Sequence, residues 1–461
     1  MTRAAAALAL ILLPGCAAVG EGPQASSVTV PTTFLYEAPP GERGTLDDLL
    51  PNGDPAFRTL VAAVDSDAPD LQAALARVDA ARAGLRAAGA ARAPNITANS
   101  NASYSRISEN AVVNVPAGTA IDPTNASFSA GIDASWDLDL FGRLRASQRA
   151  ATLRLDAADA DARAVRLALV ADIARAVTDY RMAEARLFLA DADFSDAAAL
   201  ARLTDTRIRA GISPGLDLVR AQSLEAAARA QQGPARAARA EALGRLVTLT
   251  ARDGTAVAAA FTQPATPGVS SLPPVGLPSL LLRQRPDVVA AERRLSAANA
   301  EIAAAAAARF PNININGVLG LAALALGDLF STQSLNASVG GGITAPLLDF
   351  GRIEAQIDAR QADAKEAFAL YRKTVFGAIG EAETALGSLQ ASQDRLAALE
   401  AQLAVEQDAV ALATQRYRMG LSNFLGVIDA QRQLNIVRQS LIASHGETEQ
   451  ARVAVYRAFG G

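Results

Sequence analysis

The chain has 461 residues, a formal net charge of −4, 20 % charged residues and only 5 % aromatics. Arg and Asp/Glu are interspersed, so no basic stripe offers a track for nucleic acid, and a single cysteine excludes an intramolecular disulfide and a cysteine-based zinc site. Alanine dominates beside Leu, Arg, Glu and Gln, all strong helix formers, which points to long helices rather than to two or three ordinary globular domains.

Residues 1–15 read as a processing signal. Arg3 supplies a short positive region and Ala4 to Leu13 an apolar one. Leu13-Pro14-Gly15-Cys16 resembles the lipobox of bacterial lipoproteins, which makes Cys16 the expected lipidation site. Each buried methylene adds roughly 0.8 kcal/mol, and two or more acyl chains anchor stably. Ala17, where an Asp would favour retention in the inner membrane, favours the outer one. An ordinary secretory signal with a stray cysteine is the alternative. No cofactor other than this covalent lipid is expected. Beyond the N-terminus no run of 18 or more apolar residues indicates a transmembrane helix, so a membrane reading has to use strands. Residues 16–68 are assigned to an N-terminal anchor and equatorial segment.

The rest of the chain repeats itself. Pro69-Asp70 opens a helical stretch closed by Pro94-Asn95-Ile96, and Pro286-Asp287 opens another closed by Pro311-Asn312-Ile313. Phe141-Gly142-Arg143 returns as Phe350-Gly351-Arg352, Gly211 as Gly420, and Ala221-Gln222 as Ala430-Gln431. Repeat 1 is placed at 69–251 and repeat 2 at 286–461. Between them a linker, 252–285, carries Pro264, Pro267, Pro273, Pro274 and Pro278 and cannot be one helix.

Each repeat offers two strands. Over Ala126 to Leu140, Phe128, Ile132 and Trp136 fall on one parity and Ser127, Ser129, Asp133 and Ser135 on the other. Alternation of this length is a strand with one apolar and one polar face. Residues from Asn95 to Tyr104, from Asn312 onward, and from Leu335 to Leu347 alternate likewise. A soluble hairpin on a core would alternate too. The length, enough to cross a tilted membrane path, and the small residues on the polar face favour membrane strands around a water-filled lumen. Four strands cannot close, and eight would fill with side chains, so three copies and twelve strands are expected.

Each repeat also offers a helical hairpin. Arg143 to Ala210 contains neither Gly nor Pro, and a continuous helix there is roughly 100 Å long. Gly211-Ile212-Ser213-Pro214-Gly215 turns it, and a return from Leu216 is expected to be disturbed at Gly233-Pro234. Repeat 2 runs from Arg352 to Met419, turns at Gly420-Leu421-Ser422, and returns from Asn423, with Gly377, Gly380 and Gly387 as places for close packing. Apolar residues spread more widely around these helices than a coiled-coil rod requires, as in a wall where each helix touches two neighbours. The expected fold is an α+β membrane protein, with a trimeric β-barrel continuous with a wall of helices, which the family resemblance that follows implies to be a periplasmic α-helical barrel.

Several segments resemble TolC-like outer-membrane efflux proteins. They are Trp136-Asp137-Leu138-Asp139-Leu140-Phe141-Gly142-Arg143, Arg416-Tyr417-Arg418-Met419-Gly420-Leu421-Ser422 and Asp429-Ala430-Gln431-Arg432. Leu281-Leu282-Arg283-Gln284-Arg285-Pro286-Asp287-Val288 looks like the hallmark of the lipoprotein (NodT/OprM-type) branch. The resemblance implies a homotrimer that exports drugs or other small molecules passively. It also implies two partners: a periplasmic adaptor and an inner-membrane pump of the resistance–nodulation–division class. It further implies a periplasmic gate, with Leu425 as an apolar ring, Asp429 as an acidic one, and Arg432 and Asn423 joining them. An i,i+3 Asp–Arg pair also fits an ordinary exposed ion pair. In repeat 1 Leu216 matches Leu425 but Arg220 matches Asp429, so any gate is pseudo-symmetric. The turns Gly211, Ile212, Ser213 and Gly420, Leu421, Ser422 are the expected adaptor-docking sites. His445, the single histidine, has no partner for a metal site or triad, and Gly340-Gly341-Gly342 lies in a strand pattern and not before a helix, so no enzyme is expected. Protein secretion, metal-ion export and a non-conducting structural lipoprotein remain the alternative functions.

Overall fold

The computed structural model describes residues 22–36, 45–106, 108, 124–265 and 284–461. Cys16 with its lipobox, most of the Pro-rich linker and Leu281 to Arg283 lie outside the described residues. The structure is mostly helical with one small antiparallel sheet. In chain order it comprises α1 (Pro55–Ala62), α2 (Val64–Asp67), α3 (Pro69–Ala90), β1 (Asn95–Arg106), β2 (Thr124–Asp137), α4 (Arg143–Arg209), α5 (Gly215–Thr250), α6 (Gly254–Ala260), α7 (Pro286–Ala306), β3 (Asn312–Ala323), β4 (Leu335–Thr344), α8 (Arg352–Arg418) and α9 (Phe424–Phe459). α4 and α8 each have 67 residues, and α5 and α9 each have 36. Among the described residues no helix is long and apolar enough to cross a membrane.

The residues form two compact units: Met1–Ser27 (as far as it is described), Asp79–Ala157 and Ala291–Tyr371 in the first; Val28–Val78, Ala158–Ala290 and Arg372–Gly461 in the second. The first unit holds the sheet, a meander in the order β1-β2-β3-β4 with every neighbour antiparallel. Its register joins the polar parities: Asn99 lies opposite Gly131, Thr97 opposite Asp133, Ser135 opposite Asn316, and Asn314 opposite Gly342. One face is therefore built from Asn, Ser, Thr and Gly, and Asn99 donates to the Asp133 carboxylate on it. The other face carries Ile96, Phe128, Ile132, Trp136, Ile315 and Leu319. Gly131 and Gly320 face each other so closely that a Cβ on either meets the other's Cα at 3.1 Å. Among the described residues β1 and β4 are edges without a partner.

Two strand ends differ from the alternation pattern. β2 stops at Asp137 rather than Leu140 because Asp139 takes φ +46 and turns its carboxylate onto the first amides of α4, Leu144 at 2.8 Å and Arg145 at 2.9 Å. That is side-chain capping of an N-terminal turn. β4 stops at Thr344, two residues before Pro346, which has no N–H for the ladder.

The second unit is helical. Phe57, Leu60, Val64, Ile173, Val177 and Leu246 are fully buried. Tyr180 stacks on Phe261 at 3.9 Å, while Arg181 lies over that ring and holds the buried Asp54 at 2.8 Å. Arg285 is buried. It bonds Asp287 through two nitrogens at 3.0 and 2.7 Å, Glu381 at 2.8 Å and the Ala458 carbonyl at 3.1 Å. The expected break at Gly233-Pro234 does not occur: α5 runs through Pro234. Gly233 has no Cβ to meet the proline ring, which relieves part of the clash that makes proline a helix breaker. Among the described residues, a Cβ on Gly377 or Gly380 would meet nothing within 4 Å, whereas one on Gly387 would meet the Tyr36 ring at 3.2 Å.

Candidate functional site

The two helical turns lie in the second unit and share one backbone solution. Gly211 has φ +72 and Gly420 φ +74. The Gly211 amide donates to Ile208 O and the Ile212 amide to Arg207 O, both at 2.9 Å. The Gly420 and Leu421 amides donate to Tyr417 O at 3.0 Å and Arg416 O at 2.9 Å. This paired pattern is the Schellman closure, which needs a left-handed residue at the position both glycines occupy. A Cβ on either glycine would meet no atom within 4 Å, so φ alone selects glycine there. Ile212, Leu216, Met419 and Leu421 are exposed at these turns. Ser213 and Ser422 are half-buried.

The turns are tied to each other by a contact that the sequence did not point to. Ser213 Oγ lies 3.2 Å from the Tyr417 hydroxyl and accepts from Arg207 Nε at 3.2 Å. The Arg207 guanidinium sits 4.7 Å from the centre of the Tyr417 ring, within cation–π range. Tyr417 tilts against Phe424 at 5.2 Å, and both are buried with Ala201, Ala221, Val427 and Ile428. The available signal was an aromatic one turn before the helix-ending glycine, in a chain with only six tyrosines. The partner in the other hairpin left no signal, because Ser213 and Tyr417 are 204 residues apart.

Asn423 is the N-cap of α9, accepting from the Gly426 amide at 3.3 Å. Phe424, Val427 and Ile428 turn inward, so the next residues of the helical period, Leu425, Asp429 and Arg432, form an exposed stripe that Ile436 continues. Among the described residues Asp429 and Arg432 form no ion pair. Both are solvated, and an exposed pair gains too little to order two flexible side chains. Higher along the same helices Asp193 is buried, with Arg438 at 3.5 Å. Burial pushes its carboxyl above the usual range, Arg438 opposes this and Asp196 adds to it.

The chain thus combines two 67-residue helices that end in glycine turns with a sheet of one polar and one apolar face. The comparisons agree with this. The family model described as outer membrane efflux protein matches residues 60–252 and 277–461. The outer membrane protein OprJ of Pseudomonas aeruginosa is 32 % identical over 88 % of this chain and 84 % of its own length. The pyoverdine export outer membrane protein OpmQ of the same species is 29 % identical over 98 % of this chain and 95 % of its own. A crystal structure of a membrane protein from Pseudomonas aeruginosa superposes with a TM-score of 0.85 at 30 % identity, covering 97 % of this chain and all of that one. The chain belongs to the outer membrane efflux protein family. It is an outer-membrane efflux channel, and the family and these relatives are transport proteins.

Proposed function

We propose that the chain works as a homotrimeric, passive exit duct of a tripartite efflux system. The observation that carries this is the open four-stranded sheet. Among the described residues β1 and β4 leave unpaired backbone groups at both edges, and lipid tolerates no open edge. Three copies joined β4 to β1 give twelve strands around the Asn-, Ser- and Gly-lined face, with the helical hairpins as the periplasmic tunnel. Lipid on Cys16 adds a second hold on the outer membrane. The chain performs no chemistry on its cargo: an inner-membrane pump of the resistance–nodulation–division class supplies the energy, and a periplasmic adaptor joins the two. The relative OpmQ is named for pyoverdine export, so small organic cargo is the working class here.

The gate lies at the hairpin tips. Leu425 rings of three copies dewet the passage, and Asp429 rings with Arg432 and Asn423 set what passes. The Arg207–Ser213–Tyr417 contact holds the two hairpins of one chain together in the shut state. The adaptor docks on Gly211, Ile212, Ser213 and Gly420, Leu421, Ser422, breaks that contact and shifts the population toward open. The test is accumulation of a fluorescent dye in a strain deleted for this gene, with and without the gene restored. Raised dye reversed by restoration supports the duct. Unchanged dye in a strain with no other channel of this kind contradicts it.

A further inference from the structure

The charged residues of the four strands are Arg106, Asp133 and Asp137. The register separates them. Arg106, the last residue of β1, lies opposite Thr124 and shares the parity of Ile96 and Tyr104, which is that of the apolar face. Asp133 and Asp137 fall on the polar face. The row through Asp133 runs Thr97, Asp133, Val318, Ser338. Among the described strand residues the polar face therefore carries acids and no base.

The two acids have different surroundings. Asp137 ends β2, where Arg143 holds its carboxylate at 2.8 Å and the Asp139 amide donates to it at 3.0 Å. Its charge is matched. Asp133 has no cation within ion-pair distance among the described residues, and its side-chain partner is the Asn99 amide. Asn99 can reach it because Gly131, directly opposite Asn99, has no side chain to fill the space. An amide donor holds the carboxylate in place and leaves its charge intact. A hydrogen bond alone would be met by Asn or Ser, which fill much of this face, and Asp is depleted in strands. What Asp133 adds is an unmatched negative charge on a polar surface that is otherwise neutral or paired.

We infer that Asp133 makes the strand-built part of the duct a cation-preferring filter, so that cationic organic cargo passes it more readily than anionic cargo of the same size. This rests on the reading of the sheet as one third of a trimeric barrel. Threefold symmetry sets three Asp133 carboxylates at one level around the lumen, and lipid outside the wall concentrates their field in the water inside. A ring of acids is the arrangement that selects cations in a pore. One carboxylate with one amide donor is no coordination shell, so the effect is on passage and not on capture. It is also separate from the acidic ring proposed at the hairpin tips, because Asp133 belongs to the sheet. Screening sets its range: the Debye length is about 30 Å at 0.01 M salt and about 3 Å at 1 M. The preference is therefore strong in dilute salt and lost in concentrated salt.

The test is the reversal potential of the purified full-length protein in a planar bilayer under a tenfold gradient of dilute potassium chloride. Leu425→Ala with Asp429→Ala is the background, which takes the acid at the tips out of the reading. With Asp133 in place, potassium should be several-fold more permeant than chloride. Asp133→Asn keeps an oxygen for the Asn99 amide and should bring the ratio close to one; Asp133→Lys should invert it. Equal step sizes for all three proteins in concentrated potassium chloride show that the barrels are intact, and Asp133→Ser replaces any variant that does not insert. A ratio near one with Asp133 present, or a ratio that Asp133→Asn leaves unchanged, overturns the filter. Absence of steps from the background protein itself overturns the duct reading beneath it, so the two failures are told apart.

Discussion

Arg285 and Asp287 flank a proline and were legible in the sequence only as a hallmark; the structure gives them work. The buried guanidinium joins Asp287, Glu381 and the Ala458 carbonyl and so ties the start of α7 to the end of α9. Burial alone would push the Asp287 carboxyl up; Arg285 outweighs it and holds the value below the usual 3.8. The sign follows: a lowered acid contributes stability that is complete above its ordinary value and lost as pH falls through the lowered one. Asp287→Asn is therefore expected to cost on the order of 2 kcal/mol at neutral pH. That is less than a fully buried broken pair, because Asp287 is 40 % exposed. The difference in melting temperature between variant and natural chain should shrink as pH falls below that range. At the proposed gate, Tyr417→Phe removes the hydroxyl that meets Ser213. Cells carrying it, or Leu425→Ala with Asp429→Ala, should admit more of a large antibiotic than wild type, measured as a lower inhibitory concentration. Unchanged inhibition in all of them would remove the tips from the gate.

At the scale of elements, the strands were legible because their two-residue alternation is a direct image of the two faces. Phe128, Ile132 and Trp136 do share a face, and the ladder keeps Ser127, Ser129 and Asp133 on the other. The ends were not legible, since they depend on Asp139 choosing capping over pairing, a competition decided by backbone φ. The helix stops at Gly211 and Gly420 were visible because glycine is the residue that accepts left-handed φ without cost. Replacing either by Ala should cost about 1–2 kcal/mol with no steric clash, so the loss would appear in thermal stability of the hairpin and be similar at both turns. Pro234 misled in the other direction, because a single proline in 36 packed residues does not outweigh the rest of α5. Asp193 was invisible: nothing in an alanine-rich helix marks one acid as buried. Its raised value means a contribution to stability present below the ordinary value and lost as pH rises through the raised one. Asp193→Asn should therefore raise the melting temperature at neutral pH and leave it unchanged in strong acid. The opposite order would show that Arg438 holds the charged form.

The whole molecule is where one chain stops being sufficient. Among the described residues the four-stranded sheet has two open edges, and the proposed homotrimer would close them. The two-residue alternation made the polar face of the sheet legible in the sequence; the expected three copies rest on that face and on the proposal above. The contact between the two turns was beyond it, because Ser213 and Tyr417 come from different repeats. The most direct measurement is single-channel conductance of the purified protein in a planar bilayer. Natural protein, with its tips latched, should show small and infrequent steps, and Leu425→Ala with Asp429→Ala should give large, stable ones of a single size. Large steps from the natural chain would contradict a gate at the tips, and no steps from either protein would contradict the channel.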